Sequence, residues 1–593
     1  MKNLVNLVIL AKKIRVIRWK TFWNCNLRAF YATMEAAFMK NISITINDQP
    51  PREAAYASRA GDVLPAVHQG LPVAGALLNN EAVPLCAPLL FNAALAPLTA
   101  ADPHGHRILQ RTLCLILARA IHERLPGVSY RMCHTISNGL YVTVEWPEAE
   151  RTPAARAAHA TALKEAMRAI IAEDAAIEYE LVAYAEALAL FESSGQTDKL
   201  HLLTHRNPAA VPVVKCGKFY DLAFEPVAPR TGMFPVFDLF PYDDGLVLLM
   251  PTSASPSQTG PWRPTPKLAA VFREHRAWGR IIGATSVGRL NQTILDGGFD
   301  DLVQTIEALH DKKLTSIAAE ISGRVPAVRL VLIAGPSSSG KTTSAKRLCT
   351  HLRVNGLSPF LISTDDFFVG DERNPRDKHG NLDYEHIEAV DLARLNATLQ
   401  SLLDGKETVM PWFSFKQRRG FDHEKPQRLP PGGVIVMEGI HCLNPQLTDH
   451  IADDVKFRVF VSALTQLGID RNHRISTSDN RLIRRMVRDN AHRGRPARET
   501  LAMWPSVQRG EHRWIFPFQD LADVMFNTAL DYELAVLKNF AAPLLDQVKP
   551  FHAEYADARR LTALLANFLP VDDAVVPGYS ILRESIGGSQ LRY

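Results

Sequence analysis

The run Gly335-Pro336-Ser337-Ser338-Ser339-Gly340-Lys341-Thr342-Thr343 has the residue types and spacing of a phosphate cradle. Gly335 and Gly340 permit a close backbone approach that a Cβ would block. The N–H groups of such a loop, and of a helix starting at its end, face an anion together. Lys341 then places a point charge on the β- and γ-phosphates of a nucleoside triphosphate, and the Thr342 hydroxyl is a ligand for Mg²⁺. Further along, Thr364-Asp365-Asp366-Phe367-Phe368 presents two acids. Phosphoryl transfer needs a carboxylate to orient or deprotonate the attacking hydroxyl. Asp365 is assigned that role, with Asp366 as the alternative; an Asx cap on the next helix is the purely structural reading. Glu438 ends an apolar run and suits Mg²⁺ binding through water. Arg481, Arg484, Arg485 and Arg488, followed by Arg493-Gly494-Arg495-Pro496, suit a lid that closes on the transferring phosphoryl group. A solvated basic face or an RNA contact explains the same charges. The phosphate loop upstream favours the lid.

These groups work together only if buried strands deliver them to one edge. Val328–Ala334, Phe360–Ser363 and Val434–Met437 are short apolar runs, each ending at one of the motifs. Such runs alternating with helices mark a parallel α/β sheet, whose ligands lie beyond the carboxyl ends of the strands. Between Asn480 and Arg498 the residues Leu482, Ile483, Met486 and Val487 make an apolar stripe at helical spacing, which stops at Gly494-Arg495-Pro496.

A chain of 593 residues requires several domains. The expected organisation is a basic leader (1–39), a strand-rich unit (40–104), an α+β unit (105–255), a linker and helical segment (256–325), the α/β unit (326–570) and a tail (571–593). In the strand-rich unit ISITIND (42–48) alternates and then turns. Residues 108–125 carry helical periodicity, 153–191 are Ala-rich and helix-favouring, and TSASPSQTGPWRPTP (252–266) reads as a linker.

The composition is 47% hydrophobic and 22% charged with a net charge of +5, which gives no reason to propose a general nucleic-acid binder. The first 33 residues hold much of the excess charge, as a transit peptide would, so a cytoplasmic location has a mitochondrial alternative. An upstream start codon or a tail explains the same segment. No run approaches the roughly 18 apolar residues of a membrane span. The seven cysteines form no CxxC pair, so free thiols are expected.

Residues 326–570 resemble the uridine kinases and the related phosphoribulokinase group. The resemblance rests on GPSSSGKTT (335–343), STDDFF (363–368), NLDYEHIEAVD (381–391), VIVMEGI (434–440) and RRMVRDNAHRGR (484–495). It implies ATP and Mg²⁺ as cofactors and a small-molecule acceptor. It also implies Asp365 as catalytic base, Asp383 on a ribose, and Arg485, Arg488, Arg493 and Arg495 on phosphates. Uridine kinases carry a Tyr-Asp-Phe segment followed closely by a base-reading His. Here Pro411-Trp-Phe-Ser-Phe-Lys-Gln-Arg-Arg419 holds no His. Phe413 still offers a ring for stacking, whereas Lys416 or Arg418 suits an anionic acceptor such as a sugar phosphate.

Residues 40–104 resemble the TGS β-grasp domain of threonyl-tRNA synthetase, and 105–255 resemble its second additional domain. The latter likeness rests on ILARAIHERLPG (116–127), ISNGLY (136–141) and CGKFYDLAFEPVAPRTG (216–232). The four positions that hold the synthetase's editing zinc fall on Arg111, Leu115, Ala223 and Val227, none of them a zinc ligand. Neither zinc nor editing by that chemistry is therefore expected. The two halves together, with SILRESIGGS (580–589), resemble a group of bacterial and protist nucleoside kinases. The expected fold is α/β: a P-loop kinase domain with a parallel sheet, preceded by a β-grasp domain and an α+β synthetase-like domain. The expected function is transfer of the γ-phosphoryl group of ATP to a nucleoside hydroxyl. An ATP-gated RNA-binding protein, contacting RNA through the synthetase-like half, is a further alternative, and a homo-oligomer is left open.

Overall fold

The structure is a computed structural model that describes residues 41–592 except 48, 207, 378 and 379. The basic leader read at 1–39 lies outside the described residues.

The C-terminal part is built on one five-stranded parallel sheet. Its strands are β1 (Leu330–Ala334), β2 (Pro359–Ser363), β3 (Val434–Glu438), β4 (Lys456–Ser462) and β5 (Val524–Asn527), in the order β2-β3-β1-β4-β5. All five residues of β1 and all five of β3 are buried, as a strand covered on both faces requires. One face packs against Ala345, Leu348, Cys349 and Leu352 of α1 (Lys341–Val354) and against Leu314, Ile317 and Ile321 of the helix Phe299–Gly323. The other face meets Leu395, Leu399 and Leu402 of the helix Leu392–Leu403, and Leu268 and Phe272 of the helix Pro266–Ile282. Helices from the 256–325 segment thus complete the layers of this sheet.

Register brings the strand ends together. Ile333 of β1 and Ser363 of β2 both pair with Glu438 at the end of β3. The chain leaves β1 for one side of the sheet and later returns to the other side at β4, so the end of β1 is a topological switch point.

Beyond β4 come two long helices, α2 (Thr477–Arg493) and α3 (Ala497–Trp514). α2 stops where expected, with Gly494 in a left-handed C-cap and Pro496 just before α3.

Near the start, strand Asn41–Ile46 buries Ile42, Ile44 and Ile46 as its alternation demands. It pairs in parallel with Ala93–Leu98 at the centre of a five-stranded sheet whose other pairings are antiparallel. The following part packs helices Pro103–Arg124 and Pro153–Glu173 with two antiparallel sheets. The helix-favouring stretch 153–191 is not one helix. It ends at Asp174 (φ 44°), continues as strand Ile177–Ala183 against Ala210–Cys216, and becomes helical again from Tyr184. The Ile, Tyr, Leu and Val of IEYELV gain more from cross-strand packing than alanine propensity offers. The 252–266 linker is held down by Trp262, whose indole N–H donates to the Ile136 carbonyl at 3.1 Å and whose ring meets Phe240 and Tyr242 edge-on.

The two halves are clamped by the loop between β4 and α2. Lys199 is fully buried, with Nζ 3.0 Å from Asp221 and 3.7 Å from Asp470. His473 Nδ1 lies 2.7 Å from Asp470, Asn472 donates to Asp221 at 3.0 Å, and Tyr130 donates to Asn472 at 2.8 Å. Asp221, Asp470 and His473 are spaced as cation ligands would be, and the Lys199 ammonium already lies against both aspartates.

Candidate active site

The phosphate loop leaves β1 at Gly335, where a Cβ would collide with the Val461 carbonyl oxygen of the neighbouring strand. Ser338 (φ 57°) and Gly340 (φ 78°) take left-handed conformations, which curl the backbone before α1 begins at Lys341. Pro336 lies within the curl, and Lys341 Nζ reaches back to its carbonyl oxygen at 3.2 Å. The hydroxyls of Ser338 and Ser339 are buried without a hydrogen-bond partner. Orphaned donors in a loop that opens a helix fit the oxygens of a polyphosphate.

Two strand ends and the first turn of α1 supply oxygen ligands beside the loop. Thr342 and Ser363 both donate to Glu438 Oε1, at 3.0 and 3.1 Å. Burial and the charge of Asp365 push Glu438 up to about 7. Asp365 opens to solvent on one side, yet protein walls the cleft around it. Its carboxyl is raised by that enclosure and pulled back down by Lys341, Arg493 and Arg488. Oxygen donors of this kind suit a hard cation such as Mg²⁺. The acids at 365 and 366 are not helix caps: Ser363 caps the short turn, accepting from the Asp365 N–H at 3.3 Å. Asp366 is raised to about 6, by burial and by Asp365.

The arginine helix is not a solvated face. Arg481, Arg484 and Arg485 of α2 are 2, 2 and 8% exposed, which excludes a freely hydrated basic stripe. Arg481 pairs with Glu511 of α3 and donates to the Ser337 carbonyl at 3.1 Å, while the Ser337 N–H donates to Glu511 at 3.1 Å. Arg485 donates to the Ser337 hydroxyl at 2.8 Å. Arg484 pairs with Glu533 and donates to the Thr528 carbonyl at 2.8 Å. Asp489, fully buried, gathers Arg485, Arg488, Arg493 and Arg495 at 3.4, 3.8, 3.1 and 3.4 Å. Of the four lid arginines, Arg488 and Arg493 act electrostatically on Asp365, Arg485 grips the loop, and Arg495 is shared between Asp489 and Glu499.

The acceptor side is aromatic. Phe413 is buried, with its ring edge-on to Phe368 and Phe415 at 5.7 and 5.1 Å. Phe415 is the exposed member, and the Arg493 guanidinium lies 6.0 Å from its centre. Asp383 Oδ1 accepts from the Glu385 N–H at 3.1 Å. Arg418 pairs with Asp371 at 3.2 Å, and Asp371 also accepts from the Tyr384 hydroxyl at 2.6 Å; Lys416 is exposed.

Several residues near the site were not singled out from the sequence: Glu511, Asp489, Glu385, His423 and His441. Burial pushes Glu385 up to about 7, against the pull of Arg485, and one of its oxygens has no partner. His423 lies just past the segment expected to hold a base-reading His, close enough for its charge to act on Asp366. Burial drives His441 down to about 4. Only His423 and His441, each just past a strand, could have been flagged in advance. Arg111, Leu115 and Val227 line a small cavity with Asp221, Asn472 and His473 at the clamp between the halves.

Residues 330–535 match the Phosphoribulokinase / Uridine kinase family. A uridine kinase of Deinococcus deserti is 28% identical over 194 residues, which are 32% of this chain and 84% of the relative. One from Brevibacillus brevis is 29% identical over 199 residues, 33% of this chain and 83% of the relative. Among solved structures, a possible uridine kinase from Bacillus stearothermophilus covers 36% of this chain and 98% of its own, at 20% identity and a TM-score of 0.27. D-glycerate 3-kinase from Cryptococcus neoformans covers 43% of this chain and 87% of its own, at 14% identity and a TM-score of 0.19. The chain therefore carries a C-terminal domain of the phosphoribulokinase/uridine kinase family and is an ATP-dependent kinase.

Proposed function

We propose that the chain transfers the γ-phosphoryl group of ATP to a hydroxyl of a nucleoside of the uridine or cytidine kind. The observation that carries this reading is Asp365, at the end of the strand next to Glu438, within the field of Lys341, Arg488 and Arg493. ATP, bound at residues 335–343, supplies the phosphoryl group, and Thr342 and Glu438 would hold the Mg²⁺ that accompanies it. Asp365 orients the acceptor hydroxyl and takes up its proton, and Lys341, Arg493 and Arg495 stabilise charge on the phosphoryl oxygens. Arg485 and Arg488 hold the phosphates from the lid, and Asp383 holds the sugar. The wall of Phe368, Phe413 and Phe415 favours an acceptor with a flat ring. The pairing of Arg418 with Asp371 removes a charge that a sugar phosphate would claim.

The test is ADP release from MgATP with a panel of nucleosides and sugar phosphates. A pyrimidine nucleoside is expected to give the highest kcat/KM, and Lys341→Ala to abolish turnover. Preference for a sugar phosphate contradicts the acceptor assignment; no turnover with any acceptor contradicts the activity.

We also propose that residues 40–104 form a TGS-like β-grasp domain and that 105–255 form a synthetase-like domain. The first assignment is supported by the central parallel pair of strands, and the second by helix Pro103–Arg124 lying against antiparallel sheets.

A further inference from the structure

Beyond the family-matched residues, the chain returns to the phosphate loop. The segment after Pro577 is pinned by Arg583, which pairs with Asp573 at 2.7 Å and donates to the carbonyls of Asp573 and Val576 at 2.7 and 2.8 Å. The Ser580 hydroxyl lies 3.3 Å from that of Tyr532. Ile581 is seated on the loop itself: a Cβ on Gly340 would meet its Cγ2. One turn later, Glu584 Oε2 accepts from the Thr343 hydroxyl at 2.7 Å, and its Oε1 lies 3.1 Å from Arg488 Nη1. The Glu584 carbonyl oxygen lies 3.3 Å from His492 Nε2 of the lid helix.

Glu584 therefore holds a carboxylate between the loop's last threonine and a lid arginine. A carboxylate and a phosphate make the same demand on these donors, an anionic oxygen at hydrogen-bond distance. Both cannot be met at once, and the negative charge opposes the arrival of a polyphosphate. We infer that Glu584 is an intrasteric positioning residue of the nucleotide site. In the nucleotide-free chain it occupies hydrogen-bond positions claimed by the triphosphate, holds one guanidinium nitrogen of Arg488, and releases both donors when nucleotide enters. Because Ile581 and Arg583 anchor the backbone just before Glu584, and its own carbonyl meets His492, the side chain alone has to swing. This inference rests on the assignment of residues 335–343 as an ATP site.

The test is calorimetric titration of ADP and of a non-hydrolysable ATP analogue with Mg²⁺ into the full chain and its Glu584→Gln and Glu584→Ala variants, with KM and kcat for ATP measured in parallel. Loss of the competing carboxylate is expected to tighten nucleotide about tenfold and to lower KM with kcat changed far less. Glu584→Asp, with its shorter reach, is expected to fall between Gln and wild type. A Gln variant that binds nucleotide as wild type does, or more weakly, overturns the inference while leaving the ATP site intact. Wild-type protein that binds no nucleotide at all overturns the site assignment as well. Unfolding of the Ala variant alone leaves the Gln and Asp titrations to decide.

Discussion

Asp365 and Glu438 lie at adjacent strand ends; burial raises both carboxyls, and the charge of Asp365 raises Glu438 further. Lys341, Arg488 and Arg493 offset that rise for Asp365, the acid assigned to the acceptor hydroxyl. Asp365→Asn is expected to lower kcat at least about a hundredfold, with nucleotide affinity changed far less; equal losses in both would make the residue structural. Glu385 gives a test in pH. Its folded carboxyl, raised to about 7, keeps a proton that the unfolded chain releases at the usual carboxylate range. The stability linked to that proton is therefore present at low pH and is lost as pH rises through about 7. Glu385→Gln should match wild type in melting temperature near pH 5 and exceed it near pH 8; a pH-independent difference would contradict the assignment. At this scale the sequence is most informative where a residue's role follows from its place at a strand end, as for Lys341, Asp365 and Glu438. Glu385 is illegible because nothing local shows that its carboxyl is enclosed.

Helix α2 carries two messages in one stretch of chain. Its apolar stripe, Leu482, Ile483, Met486 and Val487, is buried as the spacing predicts. Its arginines are buried too, because their acids arrive from other elements: Glu511 from α3 and Glu533 from the helix Glu533–Leu545. No local pattern announces such partners, so charge pattern alone leaves a lid and a hydrated face equally good readings. The Arg481–Glu511 pair also braces both backbone groups of Ser337. Arg481→Met leaves Glu511 buried without its counter-charge and is expected to cost about 3–5 kcal/mol in urea unfolding. Replacing both partners by apolar residues should restore most of that stability. A single variant as stable as wild type would show that the pair braces nothing. The helix-favouring stretch 153–191 is helical except around Ile177–Ala183, because alanine propensity is a weak local signal and that strand is decided by a partner strand beyond it in the chain.

Across the molecule, the kinase domain does not stand apart from the rest. Helices between 266 and 323 cover its sheet, and the loop between β4 and α2 is held by Lys199, Asp221 and Tyr130 of the preceding part. That loop runs straight into the helix whose arginines grip the phosphate loop. Lys199→Met removes the buried cation from between two aspartates and is expected to cost about 3–5 kcal/mol of unfolding free energy. A variant within about 0.5 kcal/mol of wild type would show that the clamp contributes nothing. The α/β character of the C-terminal part is legible from three apolar strands ending in chemistry. The clamp is not, because its members come from positions 130 to 473 and carry no motif.

The central claim is that residues 335–343 hold a nucleoside triphosphate. Its most direct measurement is calorimetric titration of a non-hydrolysable ATP analogue with Mg²⁺ into the full chain and into Lys341→Ala. The account predicts saturable binding at one site per chain, weakened at least tenfold by the substitution. Absence of binding, or binding indifferent to Lys341, would contradict it.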